Sequence, residues 1–236
     1  MQVGVIGLGR RRYMAALAHQ PENDVRVVAG ADLREVNRRD FEAKIGTEID
    51  FTTNYLELLG RPDLDAVIVL SSDFMHEEHA IASLEAGKHV YLEKPMAITI
   101  EGCDRILDTA RRTGCKVAVG HNMRHIDTFR KMKELIDAGA IGEVRAGWCR
   151  HFVCYGGDAY FKDWHAEREK ATSLLLQKAC HDIDVMHWLC GGATRRTTAM
   201  GNLTVYNQVQ DRHGPDEYGI ADWSMDHWPP LAQTGL

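Results

Sequence analysis

The stretch VGVIGLGRRR, residues 3–12, decides the fold class of this chain. It opens with four apolar residues of the kind found in strands buried on both faces of a parallel sheet. Gly7-Leu8-Gly9 follows at once, and a helical pattern begins near Tyr13. Between a strand and a helix, the first glycine permits a tight bend and the second lets the backbone approach a pyrophosphate. The stretch therefore predicts a dinucleotide-binding turn.

Asp32 adds a second part to this signal. It ends the next predicted strand, Val25–Ala31, and lies 23 residues after Gly9. A carboxylate at this place can accept a hydrogen bond from a ribose 2′-hydroxyl, and it repels a 2′-phosphate. We therefore expect NAD as the cofactor, while Arg34 beside Asp32 keeps NADP possible.

Three consecutive arginines depart from the usual form of this turn. Arg12 stands where a third glycine commonly allows the helix to pack closely on the strand, and Arg10 and Arg11 precede it. Each positive charge at a helix N-terminus is disfavoured by about 0.3–1 kcal/mol, and a bound phosphate reverses that sign. The three arginines are candidates for pyrophosphate binding, and a solvated basic surface is the alternative, above all for Arg11.

Strand and helix patterns alternate through the first half of the chain, and two of the helices close on Gly87 and Gly114. This alternation predicts a doubly wound α/β domain with a parallel sheet, a Rossmann domain over residues 1–121. Further strands are predicted at Ala66–Leu70, His89–Leu92 and Val117–Val119. Helices are predicted at Tyr13–His19, Arg34–Lys44, Glu77–Ala86 and Ile100–Arg112.

Residues 122–236 follow a different rhythm, which predicts a second α+β domain. Helical patterns cover Thr128–Ala138 and Ser173–Leu189, and strand patterns cover Val144–Cys154 and Thr197–Tyr206. Two strands alone would leave unpaired edges and bury little area. We therefore expect a shortened domain, or a homo-oligomer that covers the open sheet.

The composition argues against several classes of protein. Apolar residues make up 44% of the chain, which is ordinary for a globular protein. The net charge of −6 gives no general electrostatic attraction to nucleic acid or to anionic lipid. The six cysteines contain no CxxC pair, and no apolar run approaches the about 20 residues of a membrane span. We expect a cytoplasmic protein with reduced cysteines and with no metal, nucleic-acid or membrane partner.

Glu93-Lys94-Pro95 follows the predicted strand His89–Leu92 directly. Lys94 thus emerges at the carboxyl edge of the sheet, where open α/β sheets bind their ligands. Pro95 keeps its predecessor out of helical geometry and can form a cis bond, which would hold Lys94 in one orientation. A lysine shielded from water there can exchange a proton near neutral pH. Lys94 is therefore the candidate for proton transfer, and an ordinary surface lysine is the alternative.

The surroundings of this tripeptide resemble the Gfo/Idh/MocA family, named after glucose-fructose oxidoreductase, inositol dehydrogenase and a rhizopine catabolism protein. The resemblance covers about residues 1–206 and is most specific between 71 and 95. It is carried by Ser71-Ser72-Asp73, His76, SLEAGKHVYLEKP at 83–95, VGHNMR at 119–124 and IGEV at 141–144.

This resemblance implies a Rossmann domain followed by a domain with a large, open, mostly antiparallel sheet, here in shortened form. It implies an NAD(P)-dependent oxidoreductase that moves a hydride between nicotinamide and a carbon of a sugar or polyol. It also implies that Arg124 lies near the substrate. The cofactor-lining residues that it implies are Ser71, Ser72, His76, Glu93, Lys94 and Asn122.

The helix Ser173–Leu189 carries the candidates for the substrate side. His181 and Asp184 are three residues apart and so share a helix face, and histidine titrates near neutral pH. The resembled family carries an acid four residues before the histidine, and Gln177 replaces it here. Lys178 resembles a subgroup of the family in which a lysine precedes the histidine segment.

We expect Lys178, His181 and Asp184 to contact the substrate and His181 to aid Lys94. One alternative is a buried core pair of His181 and Asp184. Another is a metal site that adds His187, which is disfavoured because three successive ligands on one helix would splay around the metal.

Trp164 and His165 lie in an aromatic stretch between these helices. The indole offers an apolar face on which a sugar ring can stack, and the imidazole offers a polar contact. Packing of the indole in the core is the alternative for Trp164.

Two functions compete with a dehydrogenase. One is a redox-neutral glycosidase or lyase that retains its NAD. The other is an NAD(P)-binding sensor without turnover, which is suggested by Gln177 and by the short second domain.

Overall fold

The structure is a computed structural model that describes residues 1–153, 157–203 and 212–214. It forms two compact units, Met1–His121 and Asn122–Leu236, and each is considered by itself.

Six parallel strands form the sheet of the first unit, in the order β3-β2-β1-β4-β5-β6. The chain runs outward from β1 to β3 and then returns to place β4 on the other side of β1. Ligands of such sheets bind at this switch point, outside the carboxyl ends of the strands. The prediction of a doubly wound sheet is confirmed. The strands are β1 (Gln2–Ile6), β2 (Arg26–Ala31), β3 (Asp50–Thr52), β4 (Ala66–Val69), β5 (His89–Leu92) and β6 (Val117–Val119).

Five helices connect these strands. Polar caps and glycines set their ends: the Thr99 hydroxyl accepts the Gly102 N–H at the start of α5, and Gly114 ends that helix at a φ of +72°. The sequence patterns missed β3 and α3, which are only three and five residues long. The helices are α1 (Arg12–Ala18), α2 (Glu35–Ile45), α3 (Tyr55–Leu59), α4 (His76–Glu85) and α5 (Ile100–Thr113).

The core lies on both faces of the sheet because successive side chains of a strand point to opposite faces. Val67 and Val69 of β4 pack with residues of α4 and α5, among them Leu84. Ile68 belongs to the opposite layer, together with Phe41 of α2. Burial of side chains of this size contributes about 1.5–3 kcal/mol each. The unbroken apolar run of β4 thus reflects a strand that is covered on both sides.

The second unit is helical in its described part. The Ser173 hydroxyl accepts the Leu176 N–H at the start of α9, and Gly191 ends the helix at a φ of +68°. At 17 residues α9 is the longest helix described, and no helix of the described ranges is long and apolar enough to cross a membrane. The helices of this unit are α6 (Asp127–Asp137), α7 (Gly157–Phe161), α8 (Arg168–Ala171) and α9 (Leu174–Cys190).

The strand prediction at Val144–Cys154 is wrong for residues 144–153, which have no regular secondary structure, and Cys154 lies outside the described residues. The same holds for the prediction at 197–206: residues 197–203 are irregular and 204–206 are not described. A strand needs a partner for its N–H and C=O groups. No pairing joins these segments among the described residues, so those residues do not form the expected sheet of the second unit.

Residues 147–152 run beside α9. A Cβ added to Gly147 would touch the Met186 side chain of α9, and the His151 imidazole bonds Asp182 of the same helix at 2.8 Å. Trp148 and Phe152 of the same stretch are 85% and 86% exposed. The large apolar residues of this stretch therefore lie at the surface, and their spacing does not mark the buried face of a strand.

Gly7 fixes the turn after β1. Its φ is +90°, a value that residues with a side chain rarely adopt. A Cβ on Gly7 would lie 2.7 Å from the backbone nitrogen of Ser71 and 2.8 Å from the carbonyl carbon of Leu70. Neither atom can rotate away, since both belong to the main chain. Glycine thus lets the loop after β1 rest directly on the loop after β4.

Gly7→Ala should destabilise the protein more than the same change at an unhindered glycine. Gly46→Ala is the matched control, because Gly46 has a φ of +71° and an added Cβ meets nothing within 4 Å. The strained backbone alone costs about 1–2 kcal/mol, and a clash adds about 1–3 kcal/mol. Urea denaturation followed by circular dichroism measures both losses. Equal losses would show that the close approach of the two loops has no energetic consequence.

Candidate functional site

The loops after β1, β2, β4 and β5 meet at one edge of the sheet, because the carboxyl ends of parallel strands lie together. We call this place the crevice. The predicted site residues of the first unit lie in these loops or at the start of the helix that follows. They are Gly7, Leu8, Gly9, Arg10, Arg11, Arg12, Asp32, Ser71, Ser72, His76, Glu93 and Lys94.

Asp32 is bound to the glycine turn. Its Oδ2 accepts the Leu8 N–H at 2.7 Å, and its Oδ1 accepts the Arg34 N–H at 2.8 Å and the Asn37 side-chain amide at 2.9 Å. A carboxylate has about four acceptor positions. Three of them are used, so Asp32 is held rigidly and can still accept a hydrogen bond from a ribose hydroxyl.

Gly9 leaves room for a ligand at the same turn. A Cβ added to Gly9 would meet nothing within 4 Å. The backbone of the turn therefore faces open space directly before α1. A pyrophosphate needs such space to approach the N–H groups at a helix start. The residues of the turn thus fit a dinucleotide.

Arg12 contacts both the glycine turn and the helix α2. Its guanidinium lies 3.4 Å from the carbonyl oxygen of Leu8 and 3.3 Å from that of Gly9, and it pairs with Asp40 of α2 at 2.9 Å. The arginine that replaces the third glycine thus ties the turn to α2. These contacts give Arg12 a structural role that the sequence did not suggest.

Glu93 is a buried carboxylate directly after β5, with 4% of its side chain exposed. Its Oε2 accepts the backbone N–H of Lys94 at 2.6 Å, and its Oε1 pairs with the guanidinium of Arg11. Lys94 itself is half-buried, and the Lys94–Pro95 peptide bond is cis. The pair of Arg11 and Glu93 joins the loop after β1 to the loop after β5.

His76 lies beneath the crevice. Its Nδ1 is 2.6 Å from the carbonyl oxygen of Pro95 and its Nε2 is 3.0 Å from that of Ser71. The ring is fully buried, and this burial lowers the pKa of His76. A neutral imidazole carries one N–H and can donate to only one of these two carbonyl oxygens. The ring therefore lies between the loops after β4 and β5 and bonds one of them.

His79 was not singled out from the sequence. Its Nδ1 lies 2.9 Å from the Ser71 hydroxyl, and its ring centroid lies 4.4 Å from that of Tyr55. The side chain is 7% exposed, and burial lowers the pKa of His79 to about 4. The signal was present: His76, His79 and Ser83 follow the spacing of one buried helix face.

Arg124 and Asp184, two substrate candidates of the second unit, bind each other. Two guanidinium nitrogens of Arg124 each lie 2.7 Å from an oxygen of Asp184, a bidentate geometry. Arg124 also lies over the ring of Trp188 at 5.5 Å. Asn122 occupies the short 3₁₀ turn that precedes α6.

The aromatic candidates form a cluster near the start of α9. Trp164 is buried and stacks on His165, with centroids 3.6 Å apart. His165 meets Tyr160 edge-on at 5.4 Å, and the Lys178 ammonium lies 4.7 Å from the Tyr160 ring. The cluster gives the indole the packing role that was the alternative at the sequence level, and it leaves His165 and Lys178 as the polar members.

The helix α9 also carries Gln177, which is buried, and His181. The alternative of a metal site formed by His181, Asp184 and His187 is not favoured by the contacts of two of these residues. Asp184 is engaged by Arg124, whereas His187 bonds the Thr194 hydroxyl at 2.6 Å. Within the described residues, no three potential ligands gather around one point.

Two family comparisons match the chain. Residues 1–121 match an oxidoreductase family with an NAD-binding Rossmann fold, Gfo/Idh/MocA. Residues 129–226 match the Gfo/Idh/MocA C-terminal domain. The first match covers the unit that contains the crevice.

Individual proteins agree with this result. The chain is 35% identical over 209 residues to myo-inositol 2-dehydrogenase of Thermotoga maritima, a match that covers 89% of this chain and 60% of that protein. It is 32% identical over 198 residues to inositol 2-dehydrogenase of Ralstonia nicotianae, covering 81% of this chain and 55% of that protein. The chain thus spans little more than half the length of these curated relatives.

A solved structure is also similar. The crystal structure of a "probable dehydrogenase" from Thermotoga maritima matches with a TM-score of 0.66 and 28% identity, over 81% of this chain and 55% of that one.

His79→Gln should reduce the loss of stability in acid. The folded pKa of about 4 lies below the unfolded value of about 6.5. The unfolded state therefore binds the proton first, and stability falls as the pH drops from about 6.5 to about 4. Between pH 7.5 and pH 5 this amounts to roughly 2 kcal/mol. Glutamine does not titrate and keeps a hydrogen bond to Ser71.

Urea unfolding at the two pH values measures this difference. His76, whose pKa burial also lowers, leaves a residual pH dependence in the variant. His125→Gln, a change of an exposed histidine, is the control and should keep the full decline. An undiminished decline in His79→Gln would contradict the assignment.

Proposed function

Because the chain belongs to the Gfo/Idh/MocA oxidoreductase family, we propose that it binds NAD and oxidises or reduces a hydroxyl-bearing carbon of a polyol or sugar. The observation that carries this proposal is the meeting of the glycine turn, Asp32 and Lys94 at one crevice. A polyol of the inositol type is favoured, since the relatives at 35% and 32% identity are inositol 2-dehydrogenases.

Two features of the crevice support the proposed binding of the cofactor. The open backbone at Gly9 would receive the pyrophosphate at the start of α1. The remaining acceptor position of Asp32 would hold the adenosine ribose. Ser71 and Ser72 lie in the loop after β4, between the other two loops. When bound, NAD supplies the carbon that accepts or gives the hydride.

Lys94 is proposed to move the proton. In the oxidative direction the neutral amine of Lys94 would take the proton of the substrate hydroxyl, while the hydrogen on the carbon that bears this hydroxyl would leave as a hydride to the bound cofactor. Glu93 assists by holding the Lys94 backbone N–H at 2.6 Å. A fixed donor or acceptor of this kind contributes about 10²–10⁴ in rate.

The second unit is proposed to bind the substrate through Lys178, His181, His165 and the pair of Arg124 and Asp184. Gln177 can hydrogen-bond a hydroxyl but cannot take its proton. In this unit the proton-accepting role therefore falls to His181, whose imidazole would polarise a substrate hydroxyl.

A second candidate function is an NAD-binding sensor without turnover. The observation that favours it is Gln177, a buried amide where the resembled family carries an acid. Tight NAD binding without NADH formation across a panel of inositols, other polyols and sugars would favour the sensor.

We further propose a homo-oligomer in the cytoplasm. This proposal is supported by Trp148 and Phe152 of the second unit, two large apolar side chains that are 85% and 86% exposed, because exposed apolar surface is common where a partner binds. The five described cysteines are free, as in a reducing compartment.

Lys94→Met should abolish turnover and spare cofactor binding. Methionine keeps the length of the stem and removes the ammonium. We expect kcat with myo-inositol, or with the best polyol of a panel, to fall by at least about 10²-fold, with the Kd of NAD changed less than about threefold. Lys116→Met, a change of an exposed lysine on the sheet edge, is the control. Wild-type kcat in Lys94→Met would refute the proton-transfer role.

Asp32→Asn should weaken the discrimination between NAD and NADP. Asparagine keeps an acceptor for the Leu8 N–H and removes the charge that repels a 2′-phosphate. We expect the wild-type protein to bind NAD more tightly than NADP, and the ratio of the two Kd values to shrink about tenfold, or 1.4 kcal/mol, in the variant. Isothermal titration of both nucleotides measures it. A wild-type protein that prefers NADP would overturn the assignment.

A further inference from the structure

The proposed chemistry does not account for the charge pair of Arg11 and Glu93. Both residues were candidates for cofactor contact, and the structure brings them together from positions 82 residues apart. We propose that Arg11 is a positioning residue that holds Lys94 in place through Glu93. This inference rests on the proposed role of Lys94 in proton transfer.

The burial of Glu93 makes its partner indispensable. Only 4% of the Glu93 side chain is exposed, whereas Arg11 is one third exposed. A buried carboxylate without a counter-charge is costly, and removing one member of a buried pair leaves the other uncompensated. Without Arg11, Glu93 would therefore be driven to turn toward water.

Glu93 divides its two oxygens between two neighbours. Oε1 binds the guanidinium of Arg11, and Oε2 binds the Lys94 N–H at 2.6 Å. Hydrogen bonds to a charged group are short and strong. A Glu93 side chain that turned away would thus release the backbone of the residue that we propose to carry the proton.

Arg11 is itself held at the glycine turn. Its guanidinium contacts the Tyr13 hydroxyl and lies 5.0 Å from the centre of the Tyr13 ring. The guanidinium therefore sits between Tyr13 and Glu93, and the link runs from the loop after β1 across the end of β4 to the loop after β5. The Arg11–Glu93 pair therefore connects the glycine turn to the loop that carries Lys94.

The Lys94–Pro95 segment is thereby fixed from two directions. The pair of Arg11 and Glu93 holds the N–H of Lys94, and His76 holds the carbonyl oxygen of Pro95 at 2.6 Å. Catalysis is sensitive to such placement, since a shift of about 1 Å in a reacting group can cost about 10²-fold in rate.

Arg11 could otherwise bind the cofactor phosphate, as the sequence suggested, and the two roles predict different losses. A positioning residue changes kcat and the mobility of Lys94. A phosphate ligand changes the Kd of NAD.

The experiment compares Arg11→Ala, Glu93→Gln and the double variant with the wild-type protein. Three quantities are measured: kcat with the best polyol, the Kd of NAD, and hydrogen–deuterium exchange of the Lys94 amide without cofactor. We expect Arg11→Ala to lower kcat about 10- to 100-fold, to speed Lys94 exchange at least about tenfold, and to change the Kd of NAD less than about threefold. Arg39→Ala removes an exposed arginine of α2 and should leave all three unchanged.

The double variant tests whether Arg11 acts through Glu93. In the Glu93→Gln background no carboxylate needs a counter-charge, so adding Arg11→Ala should lower kcat less than about twofold further. If Arg11→Ala fails to fold, Arg11→Lys replaces it, because lysine keeps the charge but cannot engage Glu93 and Tyr13 together. It should give a smaller loss of kcat at an unchanged Kd of NAD.

The outcomes separate this inference from the proposed function. Wild-type kcat and Lys94 exchange in the Arg11 variant, or a loss confined to NAD affinity, would overturn the positioning role. Additive losses in the double variant would overturn it as well. A wild-type protein without turnover on any polyol would count against the proposed function instead, and the exchange of the Lys94 amide would still decide whether Arg11 holds that turn.

Discussion

The contact between the turn at Gly7 and the peptide joining Leu70 to Ser71 is the constraint on which the rest of the crevice depends. The two main chains approach to a distance that excludes even a methyl group on Gly7. Because the loops after β1 and β4 touch, the Leu8 N–H reaches Asp32 on one side and Arg11 reaches Glu93 on the other. A wider turn would separate these partners.

Hydrogen bonds and ion pairs also connect the loops around the crevice to one another. Asp32 joins the second strand to the glycine turn, Arg12 joins that turn to α2, and His76 joins the loops after β4 and β5. His76 and Glu93 are buried, where a satisfied polar network is strong and an unsatisfied group is costly. The crevice is therefore prearranged before any ligand arrives, which is the state that favours both binding and proton transfer.

In the second unit, most of the proposed substrate-binding residues lie on one helix, α9. Gln177, His181 and Asp184 recur at intervals of three and four along α9, so they share one face. Asp184 is oriented by Arg124, and Lys178 lies against Tyr160. The replacement of an acid by Gln177 leaves this face with hydrogen-bonding groups and a histidine. Groups of this kind can hydrogen-bond the hydroxylated substrate that we propose.

The sequence by itself determined the strand–turn–helix at residues 3–18, the carboxylate at Asp32 and the emergence of Lys94 at the sheet edge. These features follow from local patterns: apolar runs, glycines and the order of elements along one segment. Local patterns also misled, since residues 144–153 alternate like a strand but have no regular secondary structure, and their large apolar residues Trp148 and Phe152 are exposed. The short β3 and α3 escaped notice, because three and five residues are too few to show a period.

Only the tertiary structure decided which side chains form hydrogen bonds and ion pairs with one another. Nothing near Arg11 in the chain points to Glu93, nothing near Arg12 points to Asp40, and His79 became part of the site only when α4 packed beneath Ser71. Such pairs join residues that are distant in the chain, and they form because folding buries a charge or a ring nitrogen that must then find a complement. Composition and spacing record which groups a chain possesses, but the choice of partner depends on the three-dimensional packing that brings them within hydrogen-bonding distance.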